Sequence, residues 1–250
     1  MRGVLIDIDG VLTVSWKPID GAVDAVRAIR EAGLPFALIT NTTSRTRHRI
    51  AATLADAGFP VGPDDVLTAA AATAAHLRQH HPDAGCLLLN SGDVAGDLDG
   101  VRLVTDSPDV VVLGGAGPEF GYEALNDVFA HLQRGAELFA MHRNLYWRTD
   151  AGLQLDSGAF LLGLERAAGV EATVLGKPAE AFYAAALRIV GVDAADAVMI
   201  GDDLEADVLG AQAHGITGVL VRTGKYQPGT EEGAQHVVDS IADVPAMLGL

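Results

Sequence analysis

Four short apolar runs constrain this chain more than any other feature: VLIDI (4–8), FALITN (36–41), AVMIGD (197–202) and GVLVRT (218–223). Each is apolar on both faces instead of alternating, the pattern of a strand buried inside a parallel sheet. Between them lie helical patterns such as GAVDAVRAIREAG and RTRHRIAATLADAG, each closed by a glycine stop. Alternation of this kind implies right-handed crossovers and a doubly wound α/β sheet. A second set of runs occupies the middle of the chain: GCLLLN (85–90), DVVVLGG (109–115), ELFAMH (137–142) and ATVLG (172–176). The helical patterns YEALNDVFAHLQRG and SGAFLLGLERAAG separate them. The expected organisation is a core of residues 1–81 and 173–250 with a smaller α/β domain, 82–172, inserted into it. The stretch AAATAAHLRQHHPDAG leads into the insert.

Against this apolar background, acidic side chains at strand ends stand out, because a carboxylate is costly to place against a hydrophobic strand. Asp7 and Asp9 are two apart in VLIDIDG, and residues two apart on a strand point to one side. Gly10 lets the chain turn directly behind them. A second group, Asp202, Asp203 and Asp207, follows the run that ends in MIGDD. If the two strands are neighbours, Asp7, Asp9 and Asp202 meet at the sheet edge where open parallel sheets bind ligands. Carboxylates gathered there repel one another unless a cation joins them, and oxygen-only ligands suit a hard ion, Mg²⁺ before Ca²⁺. Asp203 or Asp207 also suits a plain cap of the following helix. Thr40 and Asn41 end another strand ahead of a helix, where hydroxyl, amide and backbone N–H donors suit a phosphate. Lys177 follows a further strand, with Pro178 expected to open the next helix.

Composition removes several alternatives. A net charge of −16 with no basic stripe argues against nucleic acid as a partner. The single cysteine, Cys86, excludes an internal disulfide framework and suits a reducing compartment. No signal-peptide pattern and no long uncharged apolar stretch is present, so a cytoplasmic protein with no membrane span is expected.

The ordered set DxDGVLT, the Thr40–Asn41 pair, Lys177 before Pro178, and GDDxxxD resembles the haloacid dehalogenase superfamily over most of the chain, from Asp7 to Asp207. An insert between the second and third motifs is similar to the NagD-like, p-nitrophenyl-phosphatase-like branch, whose cap is an α/β domain at that place. The resemblance implies a Rossmann-like core and a Mg²⁺-dependent phosphatase acting on small phosphorylated metabolites or aryl phosphates. It implies that Asp7 attacks phosphorus to form an aspartyl-phosphate, while Asp9 is the general acid and base. Thr40, Asn41 and Lys177 would hold the phosphate oxygens. Asp7, Asp202 and the main-chain carbonyl of Asp9 would hold Mg²⁺, and Asp207 would support its water shell or Lys177. A homodimer is also implied. Asp9 sets phosphatases and phosphomutases apart from dehalogenases and P-type ATPases. Only about thirty residues separate the first two motifs, too few for the helical cap of the phosphomutases. A phosphotransferase using the same aspartyl-phosphate, or a phospho-ligand-binding protein without turnover, shares this motif set.

Four features carry two readings each. Arg45, Arg47 and Arg49 do not share one helical face, so they cannot all reach a substrate; Arg45, nearest the site, either contacts substrate or is simply solvated. In HRNLYW (142–147), Arg143, Tyr146 and Trp147 either select the leaving group, as the resemblance implies for the cap, or pack a core or dimer interface. The QHHP stretch at 79–82 reads as a solvated helix end before a metal site, and Trp16 either stacks on substrate or packs locally.

Overall fold

The computed structural model describes residues 1–146 and 152–250, together with the main chain but not the side chains of 147–149. In chain order the elements are β1 (Gly3–Asp7), β2 (Thr13–Val14), β3 (Lys17–Pro18), α1 (Ala22–Glu31), β4 (Phe36–Thr40), α2 (Arg47–Asp56), β5 (Val66–Thr68), α3 (Ala69–His80), β6 (Gly85–Leu89) and β7 (Arg102–Leu103). They continue with β8 (Val110–Leu113), α4 (Tyr122–Gln133), β9 (Glu137–Ala140), β10 (Tyr146–Thr149), β11 (Gly152–Leu155), α5 (Ser157–Ala168), β12 (Thr173–Val174), α6 (Glu180–Val190), β13 (Ala197–Gly201), α7 (Gly210–Ala213), β14 (Thr217–Val221), β15 (His236–Val238) and α8 (Val244–Leu248). The chain divides into two compact units, one of Met1–Thr40, Arg47–Leu67 and Lys177–Leu250, the other of Asn41–Thr46 and Thr68–Gly176.

The first unit is built on a six-stranded sheet of order β15-β14-β13-β1-β4-β5. The register is parallel through Ile6↔Ile200, Asp7↔Ile39 and Gly201↔Leu220. Strands β1, β4 and β13 are buried at every position, which explains why their sequences do not alternate. Helix α1 buries Ala22, Ala25, Val26 and Ile29, the 3–4 spacing of one helical stripe, against a core that includes Val4, Ile6, Leu38 and Val219. The predicted order of burial therefore holds, with the strands ending one residue before most of the expected limits.

The second unit carries a five-stranded parallel sheet, β12-β9-β8-β6-β7, and the antiparallel pair β10–β11. Its core joins Val111, Leu113, Val128, Leu138 and Leu161. Helix α5 opens on Asp156, whose carboxylate accepts the Ser157 N–H, and closes on Gly169 in the left-handed conformation. The expected histidine-bearing helix end is present: α3 stops at His80 with His81 as its C-cap.

Two local expectations are corrected. Pro178 does not open a helix, because α6 begins at Glu180 behind an N-cap at Ala179, so Pro178 belongs to the preceding turn. Arg45 is not helical, since α2 begins at Arg47.

Candidate active site

The site grows from the C-terminal edge of the first sheet. β1 places Asp7 at its last position, and parallel pairing with β13 brings Asp202, the residue after Gly201, alongside it. The strand ends at Asp7, so the alternation argument does not reach Asp9. Asp9 lies exposed in the turn beyond, bridged to Thr13, while the N–H groups of Leu12 and Thr13 both donate to the Ile8 carbonyl. The carboxylates that do converge are those of Asp7, Asp202 and Asp207, each offering an oxygen within 4.8 Å of the others, and all three are buried.

Asp207 arrives from a π-helical turn, Leu204–Leu209, that follows directly on Asp202 and Asp203. π-Turns are uncommon and recur at functional sites. Asp203 caps this turn by accepting the Ala206 N–H at 3.0 Å, and its other oxygen pairs with Lys225 Nζ at 3.1 Å. The alternative of a helix cap thus applies to Asp203, whereas Asp207 turns inward. Its carboxylate lies over Gly201, where any Cβ would collide with it.

Lys177 is the internal counter-charge. Its Nζ donates to Asp7 Oδ1 at 2.5 Å and to Asp207 Oδ1 at 2.6 Å, with all three side chains buried. Burial opposes its charge, but Asp207 and Asp7 outweigh that cost and raise its pKa. One cation against three carboxylates leaves an excess of negative charge in a dry place. Accordingly, burial first and the neighbouring carboxylates next push Asp7 well above the usual carboxylate range. The same order of causes raises Asp202 to about 7.

Asp202 is held by a loop that no local pattern of residues marks. Its Oδ2 accepts the Lys225 N–H at 2.6 Å, and Thr223 Oγ1 donates to the Gly10 carbonyl at 2.5 Å. Gly10 (φ 91°) and Gly224 (φ 60°) approach so closely that a side chain on either would strike the Asp202 carboxylate. The other oxygen, Asp202 Oδ1, is buried and has no hydrogen-bond partner among the described residues. An orphaned carboxylate oxygen in a cluster of carboxylates fits a hard cation, so the residues present suit Mg²⁺.

Of the remaining predicted residues, Thr40 is buried at the end of β4, one position past the Asp7↔Ile39 pair. Asn41 follows it in the chain and groups with the second unit, where its Oδ1 approaches Gly176. Arg143 forms a two-pronged ion pair with Glu165 at 2.9 and 2.6 Å, while Tyr146 on β10 is exposed. The Trp147 side chain lies outside the described residues. Trp16 packs, partly buried, against the core of the first unit.

Comparison with known proteins bears on this geometry. A model of haloacid dehalogenase-like hydrolases matches residues 4–103, and a second, HAD-hydrolase-like model matches 174–244. The chain is 36% identical to human haloacid dehalogenase-like hydrolase domain-containing protein 2, over 93% of this chain and 88% of that protein. It is 38% identical to phospholysine phosphohistidine inorganic pyrophosphate phosphatase of Danio rerio, over 97% and 91%. Among solved structures, p-nitrophenyl phosphatase from Archaeoglobus fulgidus superposes with a TM-score of 0.92 at 27% identity, covering 98% of both chains. NagD from Escherichia coli K-12 gives 0.88 at 26%, covering 97% of this chain and 98% of NagD.

Proposed function

Taking as premise that this chain belongs to the haloacid dehalogenase-like hydrolase family, on its NagD-like branch, we propose that it is a phosphatase working through a phosphoenzyme on Asp7. The observation that carries the proposal is the buried group of Asp7, Asp202 and Asp207 around Lys177, with one Asp202 oxygen left without a partner. The substrates are small phosphate esters, of metabolites or aryl alcohols, a class supported by the p-nitrophenyl phosphatases among the similar structures.

In this reading Asp7 attacks phosphorus with Oδ2, because Lys177 already holds Oδ1. The bond from phosphorus to the ester oxygen breaks, and Asp9 donates a proton to that oxygen. Asp9 then removes a proton from water, which attacks phosphorus. The bond to Asp7 breaks, the carboxylate is restored and inorganic phosphate leaves. Exposure of Asp9 in its turn supports this shuttle, since it must meet both the leaving group and water. Thr40, Asn41 and Lys177 donate to the non-bridging oxygens. Asp7, Asp202 and the Asp9 carbonyl, with Asp207 behind, would hold Mg²⁺, which would supply the positive charge that keeps the carboxylates ionised beside an anionic ester.

We read the insert, 82–172, as the α/β cap and Tyr146 as its contribution to leaving-group selection. Arg143, committed to Glu165, serves there by anchoring the approach to β10. The lone buried Cys86, whose thiol burial pushes up to about 12, supports a cytoplasmic setting, and homodimerisation follows the family branch.

The test is release of p-nitrophenol from its phosphate ester with Mg²⁺ and with chelator. Asp7→Asn keeps the shape and removes the nucleophile; the expected loss is on the order of 10⁴-fold or more. Equal turnover in the variant, or turnover indifferent to chelator, would overturn the reading.

A further inference from the structure

One buried side chain beside the site has no part in the chemistry above. Tyr183, on α6, is fully buried, and its hydroxyl lies 2.8 Å from the Ala206 carbonyl and 3.0 Å from that of Asp207. Carbonyl oxygens can only accept, so the hydroxyl is the donor to both. Both acceptors belong to the π-helical turn that delivers Asp207. Helix α6 begins only three residues after Lys177, so the helix that carries Tyr183 follows directly on the turn that delivers the lysine.

Other contacts tie the same two segments together. Gly210, which closes the π-turn, lies so near Pro178 that a Cβ there would stand 2.6 Å from the proline ring. His214 Nε2 is 3.1 Å from the Pro178 carbonyl oxygen, and its ring lies 5.6 Å from that of Tyr183. Asp207 is thereby held twice, through its carboxylate by Lys177 and through its main chain by Tyr183.

We propose that Tyr183 is a positioning residue that fixes the π-turn against α6, and so sets the separation of Lys177 and Asp207 around Asp7. It touches neither substrate nor cation and acts through Asp207. The inference rests on the phosphatase reading for its effect on turnover, and on the carboxylate group alone for its effect on cation binding. Without the hydroxyl, two buried carbonyls lose a donor and the turn is free to tighten toward ordinary helical geometry, carrying Asp207 away from Lys177.

The variant that removes only the hydroxyl is Tyr183→Phe. Its control is Phe182→Leu, at a fully buried neighbour whose ring meets that of Tyr183 edge-on at 6.1 Å. Turnover of p-nitrophenyl phosphate is measured for both, and Mg²⁺ titrations are read by the rise in Tm, which needs no activity. Tyr183→Phe is expected to lower kcat about three- to tenfold, the worth of one hydrogen bond, with KM within about twofold. The Mg²⁺ concentration giving half of the Tm rise should increase by a similar factor. Phe182→Leu should lower the Tm itself and move neither quantity. In an Asp207→Asn background, Tyr183→Phe should shift the Mg²⁺ midpoint by less than about twofold, because the two residues act as one unit.

The proposal is overturned if Tyr183→Phe changes only the Tm, as Phe182→Leu does, or if its effect on the Mg²⁺ midpoint multiplies with that of Asp207→Asn. Should the wild type prove inactive, the phosphatase reading fails while the Mg²⁺ midpoints still decide the role of Tyr183. A wild type that Mg²⁺ does not stabilise would overturn it as well.

Discussion

The molecule carries two parallel sheets, and the C-terminal edges of the two gather polar groups in different ways. At the edge of the second sheet, Asn90 reaches the carbonyls of Thr43, Ser91 and Gly92 at 3.0–3.1 Å and accepts the Gly115 N–H at 2.8 Å. Asp156 accepts from Ala116 and Ser157, and His142 lies 3.8 Å from it. Burial lowers the His142 pKa although Asp156 opposes the shift, so the imidazole stays neutral. The orphan here is a hydroxyl, Ser157 Oγ. At the first edge a hydroxyl, Thr13 Oγ1, is also without a partner among the described residues, but so is a carboxylate oxygen, Asp202 Oδ1, and three carboxylates face one lysine. An unpartnered buried charge costs several times more than an unpartnered hydroxyl. Polar clustering at a strand edge therefore marks structure or chemistry alike; uncompensated charge separates the two.

The sharpest break of that contrast is Lys177→Met. It leaves Asp7 and Asp207 buried with no cation between them, and on the proposed mechanism it also removes a phosphate donor. Turnover should fall by on the order of 10³-fold or more. Stability without Mg²⁺ should fall by about 3–5 kcal/mol at pH 8, the usual cost of stripping one partner from a buried pair. Urea unfolding at pH 8 and at pH 5 checks the cause. Burial raises the pKa of Asp7 well above the usual carboxylate range, so at pH 5 Asp7 is protonated and much of the loss should disappear; an equal loss at both pH values would assign Lys177 to packing alone.

A smaller effect follows from the raised carboxylates. Asp202 titrates near 7 in the folded protein against an ordinary 3.8, chiefly through burial and then through Asp207, and Asp7 is raised for the same reason. Between these values the folded form holds protons that the unfolded chain has released. Its stability therefore declines as pH rises from about 4 to about 7, and the full cost stands above that window. A cation needs the ionised carboxylates, so Mg²⁺ should raise the Tm more at pH 8 than at pH 5, by several degrees. Comparing each pH with and without Mg²⁺ cancels carboxylates elsewhere whose pKa moves the other way, such as Asp203 and Glu165. A Tm gain that does not change with pH, or that survives in Asp202→Asn, would remove the cation from this site.

How much of this was legible in the residues depends on the range of the interaction. The parallel sheets, their order of burial and the pairing of Asp7 with Asp202 follow from apolar runs and strand ends, which are local patterns. Strand alternation aligns Asp9 with Asp7, but the strand ends at Asp7, and a bridge to Thr13 fixes the turn instead. A proline ahead of a helical pattern suits the first helical position, yet the helix starts behind Ala179 and Pro178 stays in the turn. The loop of Thr223, Gly224 and Lys225 reaches Asp202 and Gly10 across more than twenty residues, and Tyr183 reaches Asp207 across a similar span. No periodicity records a contact at that distance. The π-turn was hidden for another reason, since LEADVL reads like any helical stretch until its hydrogen bonds are traced.

The quiet edge gives the smallest expected effect and the most direct test of the contrast. Asp156→Ala removes the N-cap of α5 and the acceptor of the Ala116 N–H together. The expected loss is about 1–2 kcal/mol, the usual worth of a cap, read as a lower urea midpoint at unchanged slope. It should leave the Mg²⁺ midpoint of the Tm rise where it was, because no group of the carboxylate cluster touches this residue's hydrogen bonds. His142 sharpens the reading further. With Asp156 gone, the one group raising its pKa is lost while burial still lowers it, so the neutral ring should persist to lower pH in an NMR titration. A changed Mg²⁺ midpoint in this variant would show that the second edge carries more than structure, and uncompensated charge would then no longer suffice to tell the two edges apart.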